Sequence, residues 1–207
     1  MAQTHIKQTE TSISEEDYLE GEVHSDIKHE YIDGEVYAMS GAKVAHNRIS
    51  GNINRKFGNH LEGKPCEPFS ADMKVKVGSK YFYPDVLVDC SNLDDNDLFT
   101  ESPIILVEVL SRSTRRIDET TKRVAYLQIP SLQEYVLIEQ DFVDVEVVRR
   151  SEGWQSKHYF LGDEITFESI KLTLAVEEIY DRVKNTDMTE WLEMKAQREE
   201  EQSTASS

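Results

Sequence analysis

The order of apolar and polar positions along the chain predicts helices and strands in alternation. From Ala42 to about Leu61 apolar residues recur every four positions, which is typical of an amphipathic helix. Two β-rich runs flank Asp33-Gly34, a dipeptide that favours the tight turn of a β-hairpin. After Pro130, the runs EYVLIE, VDVEVVRR and WQSKHYF predict a meander of antiparallel strands.

Shorter signals complete the predicted element order. Ser14 followed by Asp17 resembles a capping box, so a short helix is expected from Ser14 to Glu20. ADMKVKV and YFYPDVLVDC predict two strands joined at Gly78-Ser79, and ILVEVL predicts a strand covered on both faces. Two further helices are predicted, over Asp118–Ile129 and Leu174–Val183. The whole pattern predicts an α/β fold with a mixed β-sheet flanked by helices and an N-terminal β-hairpin.

Length and composition suit a single domain with extensions. The chain has 207 residues, of which 38% are hydrophobic and 30% charged, enough to bury a core. We expect one domain over residues 14–183, a flexible N-terminus at residues 1–13, and a C-terminal helix with a disordered tail at residues 184–207. No apolar run approaches the ~20 residues of a membrane span, and the N-terminus lacks the apolar core of a signal peptide. A cytoplasmic protein without a membrane partner is therefore expected.

The cysteine content indicates neither zinc nor disulfide chemistry. Cys66 and Cys90 are the only two cysteines, and no Cys-x-x-Cys spacing is present. We therefore predict two reduced, buried thiols.

The charge balance restricts the kinds of ligand that the surface can attract. A formal net charge of −17 argues against broad affinity for nucleic acid, because neutralisation of phosphate dominates such binding. A polyanion-binding surface must then be a local exception. The candidate is a basic patch formed by Arg112, Arg115, Arg116, Lys122 and Arg123. A solvated loop is the alternative interpretation of the same residues.

Two carboxylates lie inside apolar runs, where a lone charge is costly. Glu108 is the only ionisable residue between Ile104 and Leu110, and Asp85 directly precedes Val86-Leu87-Val88. Carboxylates on neighbouring strands repel each other unless a cation lies between them. We therefore predict that Asp85 and Glu108 hold Mg²⁺ or Mn²⁺. The alternative is that each carboxylate ends a strand and accepts hydrogen bonds from backbone or an arginine.

These residues carry a resemblance to known nucleases. Pro84-Asp85 followed by Glu108-Val109-Leu110 resembles the PD-(D/E)XK nuclease superfamily. The chain also resembles the Uma family of restriction-endonuclease-like proteins over about residues 14 to 180. That likeness rests on an ordered series: YIDGEVYAM, His46-Asn47, YPDVLVDC, VEVLSRST, Asp118, Lys122, Tyr126 and EYVLIE. The resemblance implies a restriction-endonuclease-like core and metal-dependent hydrolysis of phosphodiester bonds.

One departure from the superfamily pattern changes the expected set of catalytic residues. The superfamily places a lysine two residues after the glutamate, where this chain has Leu110. The family resemblance implies that Lys122 on the following helix replaces it; the alternative is a surface ion pair between Asp118 and Lys122.

Three accessory residues are predicted as well. His46 can face the sheet, although a histidine at a helix edge is more often a structural hydrogen-bonder. The acid that the first helix lacks is expected from Glu30 or Glu35. Asp72 and Lys74 are expected to face solvent.

Three functions fit these observations. The first is a Mg²⁺-dependent endonuclease acting on nucleic acid, with DNA as the expected substrate and Asp85, Glu108 and Lys122 as catalytic residues. The second is an interaction module that keeps the nuclease fold without turnover, and the third is an oligomeric structural protein. A homodimer is expected because twofold assemblies are the commonest.

Overall fold

The computed structural model describes residues 12–39, 41–112 and 114–205. Its helices, in chain order, are α1 (Glu15–Val23), α2 (Val44–Leu61), α3 (Arg115–Ile117), a π-helical turn (Asp118–Lys122), α4 (Arg123–Tyr126), a 3₁₀ turn (Arg150–Glu152), α5 (Val176–Ile179) and α6 (Thr186–Ala205). Its strands are β1 (His29–Ile32), β2 (Glu35–Ala38), β3 (Glu67–Ser70), β4 (Lys74–Val77), β5 (Lys80–Phe82), β6 (Val86–Asp89), β7 (Phe99–Thr100), β8 (Pro103–Leu110), β9 (Glu134–Glu139), β10 (Val145–Arg149), β11 (Ser156–Tyr159), β12 (Glu164–Phe167) and β13 (Leu172–Ala175).

A six-stranded mixed sheet forms the centre of the fold. Its strand order is β11-β10-β9-β8-β6-β3, and only β8 and β9 run parallel. Parallel neighbours require a crossover connection, which here is the segment of α3, the π turn and α4. We call this segment, residues 115–126, the bulged helix. The predicted α/β fold with a mixed sheet flanked by helices is confirmed, including the meander from β9 to β11.

The central strands alternate between two cores because successive side chains point to opposite faces. Ile105, Val107 and Val109 of β8 pack with α2, whose buried face consists of Ile49, Ile53, Phe57 and Leu61. Leu106 and Leu110 pack on the other face, against Ala125 and Tyr126 of the bulged helix. Glu108 lies between these two leucines in the alternation, so its carboxylate points toward the bulged helix.

A smaller sheet of order β2-β1-β5-β4-β7 lies beside the central one. Its β1–β2 hairpin turns at Asp33 and Gly34, both with positive φ (51° and 100°), as the sequence predicted. The run YFYPDVLVDC is not one strand as predicted. It divides into β5 in the small sheet and β6 in the central sheet, and residues 83–85 form the crossing between them. Proline at position 84 interrupts the backbone pairing there.

Other predicted boundaries differ from the structure for identifiable reasons. The helix expected from Asp118 begins three residues earlier, at Arg115, and contains the π turn. Leu172–Ala175 is a strand paired with β12, so the helix expected from Leu174 is limited to Val176–Ile179. The short apolar run there fits either periodicity, and pairing with β12 decides it. The Ser14 cap is confirmed, because its Oγ accepts a hydrogen bond from the Asp17 N–H at 3.0 Å.

Flexible segments were predicted at both ends of the chain. Residues 1–11 and 206–207 lie outside the described residues. Ile13 donates its N–H to Gly34 at 3.0 Å, and the C-terminal helix α6 continues to Ala205. Among the described helices, none is long and apolar enough to cross a membrane.

The two cysteines are disulfide-bonded, so the prediction of reduced, buried thiols is wrong. β3 and β6 pair antiparallel with Glu67 opposite Asp89, which places Cys66 opposite Cys90 one step further on. Cys90 is exposed, and Cys66 is only partly buried. Spacing along the chain carried no signal for this pair, because the contact depends on strand register alone.

The disulfide should stabilise the edge strand β3 measurably. It closes a loop with a sequence separation of 24 residues. Reduction should lower the free energy of unfolding by about 3 kcal/mol and the urea midpoint by about 1–2 M. The measurement is urea unfolding followed by circular dichroism, with and without dithiothreitol. The double variant Cys66→Ser/Cys90→Ser is the control, since reductant should not change its midpoint. Equal midpoints for the oxidised and reduced wild type would contradict the expectation.

Candidate active site

A cleft of about 620 Å³ opens where the two sheets, α2 and the bulged helix meet. Its wall includes the predicted metal ligands and the predicted catalytic lysine, Asp85, Glu108 and Lys122, and we call it the acidic cleft. The site residues lining it are His46, Asp85, Glu108, Arg112, Asp118, Lys122 and Gln140. A second cavity of about 530 Å³, between the β4–β5 turn and the outer side of the bulged helix, has no carboxylate or histidine in its lining. Of these two cavities, only the acidic cleft is lined by carboxylates and a histidine.

Strand register brings Asp85 and Glu108 together, as the sequence predicted. β6 pairs antiparallel with β8 with Val86 opposite Val107, so Asp85 comes opposite Glu108 one residue further on. The Asp85 carboxylate accepts a hydrogen bond from the Val109 N–H at 2.7 Å, which fixes it against β8. Both carboxylates consequently face the same cleft.

Lys122 is the cation at the floor of the cleft. Its ammonium nitrogen lies 2.8 Å from Glu30, 3.1 Å from Glu108 and 3.2 Å from Asp118, measured to carboxylate oxygens. Only 5% of its side chain is exposed. The Asp118 contact is an ion pair without hydrogen-bond geometry. We call Lys122 with these three acids the lysine cluster.

The π turn explains why one helix supplies several groups to this cluster. A regular helix has 3.6 residues per turn, so residues four apart drift around its axis by about 40°. The wider π turn removes part of that drift and keeps Asp118, Lys122 and Tyr126 on one buried side. Tyr126 donates its hydroxyl to Glu108 at 3.0 Å. Bulges of this kind occur frequently at functional sites.

Burial and crowding perturb the ionisation of the cluster. Burial raises the pKa of Glu108 well above its usual value, and although Lys122 opposes this, the charges of nearby acids add to the rise. Burial lowers the pKa of Lys122, but Glu108, Glu30 and Asp118 outweigh that effect and raise it well above its usual value. Lys122 therefore remains an ammonium, and burial favours the protonated form of Glu108 more than in an exposed glutamate.

His46, in the first turn of α2, holds Asp85 from the opposite side. Its Nε2 lies 3.2 Å from the Asp85 carboxylate, and its buried Nδ1 has no hydrogen-bond partner within the described chain. Burial lowers the pKa of His46, but the hydrogen bond and charge of Asp85 outweigh burial and raise it overall. His46 therefore lies in the cleft beside Asp85, and its accessory role stays a prediction.

Several predicted site residues lie elsewhere or are already paired. Glu35 is exposed on β2 outside the cleft, where it accepts a hydrogen bond from Tyr37, so Glu30 alone supplies the hairpin acid. Arg115 pairs with Glu139 and Glu119, and Arg123 with Glu146 at 2.8 Å. Arg116 is exposed but does not line the cleft, which leaves only Arg112 at its mouth. The predicted basic patch is thus dispersed, because a count of bases does not record their acidic partners.

Sequence reasoning also missed or misplaced some cleft residues. Asp118 was expected as a possible surface partner of Lys122 but is 1% exposed within the cluster. Lys74 is buried and donates to the Tyr83 hydroxyl at 3.3 Å, whereas exposure was expected. Gln140 follows β9 directly, and the parallel register of β8 and β9 carries it beside the end of β8. The signal in the sequence that could have identified Gln140 is its position as a polar residue directly after a buried strand.

The acids of the cleft fit a hard divalent cation. Within the described ranges, no group of three or more His, Cys, Asp or Glu residues has an arrangement that could hold a metal ion. Mg²⁺, however, needs only one or two carboxylates, with water and phosphate oxygens completing its shell. Four carboxylates, Glu30, Asp85, Glu108 and Asp118, converge on one lysine and one histidine. This excess of buried negative charge suits a cation held by Asp85 and Glu108.

The fold of the chain is similar to that of one solved structure. A solved structure from Anabaena variabilis ATCC 29413, described as "a putative nuclease belonging to DUF820", is similar with a TM-score of 0.65 at 18% identity. The match covers 77% of this chain and 93% of that chain. At this identity the likeness shows the fold, which is the restriction-endonuclease-like core predicted from the sequence.

Sequence comparison identifies the family. The model of the Uma2 family, described as "Putative restriction endonuclease", matches residues 15–177, and the chain belongs to this family. The uncharacterized protein slr1290 of Synechocystis sp. (strain ATCC 27184 / PCC 6803 / Kazusa) is 36% identical over 173 residues, covering 81% of this chain and 91% of that protein. The uncharacterized protein sll1609 of the same organism is 35% identical over 135 residues, covering 63% and 76% respectively.

Removing the central cation should strongly destabilise the fold. Lys122→Met leaves Glu30, Glu108 and Asp118 without their shared partner, at an expected cost of about 3–5 kcal/mol in the free energy of unfolding. Adding Glu108→Gln should recover part of the lost stability, because it removes one buried carboxylate charge that has no cationic partner. Urea unfolding measures both effects. Lys184→Met, at an exposed position outside the cleft, is the control and should change stability by less than about 0.5 kcal/mol. A Lys122→Met variant as stable as the wild type would contradict the argument.

Proposed function

We propose that this chain is a metal-dependent endonuclease that hydrolyses phosphodiester bonds of nucleic acid, with DNA as its substrate. The observation that carries the proposal is the pairing of Asp85 and Glu108 in a cleft beside a buried lysine. Membership of the Uma2 family and the nuclease-like fold support the reaction class.

Asp85 and Glu108 are proposed to hold Mg²⁺ or Mn²⁺. The Val109 N–H and His46 orient Asp85, and the Tyr126 hydroxyl with Lys122 orients Glu108. Both carboxylates are therefore fixed before any ligand binds, which reduces the reorganisation required on binding. The chemistry that such an ion supplies is activation of water and stabilisation of charge developing on the phosphate.

Lys122 is proposed to stabilise negative charge in the transition state. Its ammonium remains protonated because the surrounding acids raise its pKa. It contacts Glu108 from the bulged helix, on the sheet face where Leu110 occupies the usual lysine position. The proposal thus assigns to Lys122 the function that the superfamily pattern gives to a strand lysine.

A second candidate is a nuclease-fold module that binds nucleic acid without cleaving it. The observation favouring it is that three carboxylates already surround the Lys122 ammonium, while Leu110 packs into the apolar core. Both candidates bind the metal ion, but only the first cleaves nucleic acid.

Metal binding should raise the melting temperature of the wild type. Because the ion binds the native site, Mg²⁺ or Mn²⁺ at tenfold excess over its Kd adds about 1.4 kcal/mol, or about 3–6 °C. Differential scanning fluorimetry with and without EDTA measures the shift.

Variants of the site test whether the increase in melting temperature comes from metal bound to Asp85 and Glu108. Asp85→Asn and Glu108→Gln should abolish the increase, since each neutralises a ligand with little change of shape. It should persist in Lys122→Met, because the ligands remain. Glu35→Gln is the matched control, as Glu35 lies outside the cleft. A wild type indifferent to millimolar metal would refute the metal site.

Cleavage should depend on the same residues. Conversion of supercoiled plasmid to nicked circles should require Mg²⁺ or Mn²⁺ and fall by at least about 100-fold in Asp85→Asn, Glu108→Gln and Lys122→Met. Glu35→Gln should cut at the wild-type rate. Metal-dependent stabilisation without nicking would reject the endonuclease in favour of the module, and nicking unaffected by Asp85→Asn would reject this site.

A further inference from the structure

The N-terminus of α2 opens into the acidic cleft without a cap. α2 spans 18 residues, and its N-cap residue, Lys43, has an extended backbone (φ −73°, ψ 164°) and no side-chain capping hydrogen bond. The first turn contains no acidic residue. In the part of the chain that the structure describes, no group accepts a hydrogen bond from the N–H groups of Val44, Ala45 and His46. Free N–H groups and the helix dipole together favour an anion at such a terminus.

Three bases line the outer part of the cleft, but two of them are already paired. Lys28 forms an ion pair with Asp72, and the exposed Arg112 guanidinium lies 3.7 Å from a carboxylate oxygen. Asp26 is an exposed acid of the same wall. Lys43, at the N-cap of α2, is exposed and forms no ion pair within the described residues. The unpaired positive charge of this wall therefore lies at the helix terminus itself, where it can attract an anion over a short range.

Gln140 supplies an independent observation that points to a ligand. It lines the same cleft and is only 3% exposed, yet its buried Oε1 has no hydrogen-bond partner within the described residues. A buried amide without a partner is costly, and native structures rarely leave one unexplained. Rotation of the amide group by 180° exchanges its oxygen and its nitrogen. In that orientation the buried atom is an N–H donor, from which an oxyanion can accept a hydrogen bond. A ligand that enters the cleft would satisfy it.

His46 fixes the distance between the helix terminus and the metal-binding carboxylates. It is the third residue of α2, and its ring contacts Asp85 at 3.2 Å. The free N–H groups therefore lie within about one helical turn, roughly 5 Å along the axis, of the residue that holds Asp85. That separation places the two sites beside each other in one cleft.

We propose that the N-terminus of α2, with Lys43 and Gln140, forms a subsite for a backbone phosphate of the bound polynucleotide. This phosphate neighbours the phosphodiester held over Asp85 and Glu108. The subsite rests on the proposed function for its ligand, but it is built from the backbone N–H groups of the first helical turn, Lys43 and Gln140, none of which takes part in the proposed reaction. It positions the strand through phosphate contacts and carries no base specificity.

Two substitutions at the helix terminus test the subsite without disturbing the floor. Val44→Pro removes one N–H at the first helical position, where proline is tolerated; the extended backbone of Lys43 suits a following proline, and Val44 is 64% exposed. Lys43→Asp removes a positive charge and supplies a capping carboxylate that competes with phosphate for the free N–H groups. Lys184→Asp makes the same charge change outside the cleft and is the control.

Binding is measured by NMR in EDTA at low ionic strength, where no metal-dependent cleavage occurs. The probes are inorganic phosphate and an eight-nucleotide single-stranded oligodeoxynucleotide. Both should shift the amide resonances of Val44, Ala45 and His46, and the oligodeoxynucleotide should also shift the Gln140 side-chain amide. Lys43→Asp should weaken oligodeoxynucleotide binding by about tenfold and Val44→Pro by about fivefold. Lys184→Asp should weaken it by less than about twofold.

The stability of Lys43→Asp separates binding from folding. A carboxylate at the N-cap favours the helix, so the melting temperature should hold or rise while binding falls. Absent shifts at residues 44–46, or equal affinity in Lys43→Asp and Lys184→Asp, would overturn the subsite. A response to inorganic phosphate alone would overturn its assignment to polynucleotide. Failure of the proposed nuclease site would give a different result. Nicking would then not depend on Asp85, while the amide shifts at residues 44–46 would still be observed.

Discussion

The position of the Lys122 ammonium constrains the whole molecule. It is shared by Glu30 from the hairpin, Glu108 from the central sheet and Asp118 from its own helix, so it joins three elements at one buried point. Desolvation makes such an ion cluster a poor source of stability, and apolar residues of similar volume often serve a core as well or better. The interior also contains a buried ion pair between Arg149 and Glu134, but that pair joins one base to one acid away from the cleft. The lysine cluster gathers three acids around one base beside a cleft that also exposes Asp85 and His46, and this geometry favours a chemical role over a purely structural one.

Sheet topology explains how these groups reach one place. The parallel pair β8–β9 aligns the carboxyl ends of two buried strands, and ligands of α/β proteins commonly bind at such ends. The crossover between these strands is the bulged helix, so Lys122 necessarily covers the face of β8 that presents Glu108. Residues 83–85 carry the chain from the small sheet into the central one. Tyr83 donates its N–H to Glu30 at 3.1 Å, so the crossing also fixes the hairpin acid.

The sequence predicted those features that depend on local pattern or on the rarity of a buried charge. The α2 face, the Asp33-Gly34 turn and the isolation of Glu108 are of this kind. It did not predict features that depend on register or on a partner far along the chain. The Cys66–Cys90 disulfide follows from the pairing of β3 with β6, and Arg115 is neutralised by Glu139, 24 positions away. Local polarity identifies a charged residue, but only the folded chain shows which charges are paired.

The strongly acidic surface limits how such a protein can select a polyanion. With a net charge of −17, the molecule has no long-range attraction for nucleic acid, and only a few bases at the cleft mouth face incoming phosphate. A small number of phosphate contacts implies a shallow dependence of affinity on salt, because few counterions are released on binding. Under the proposed function, discrimination would fall to the short-range groups of the cleft, which are the fixed carboxylates, Lys122 and the donors that line it. General repulsion would then reject most polyanion contacts, and only a strand that places its phosphates against these groups would bind.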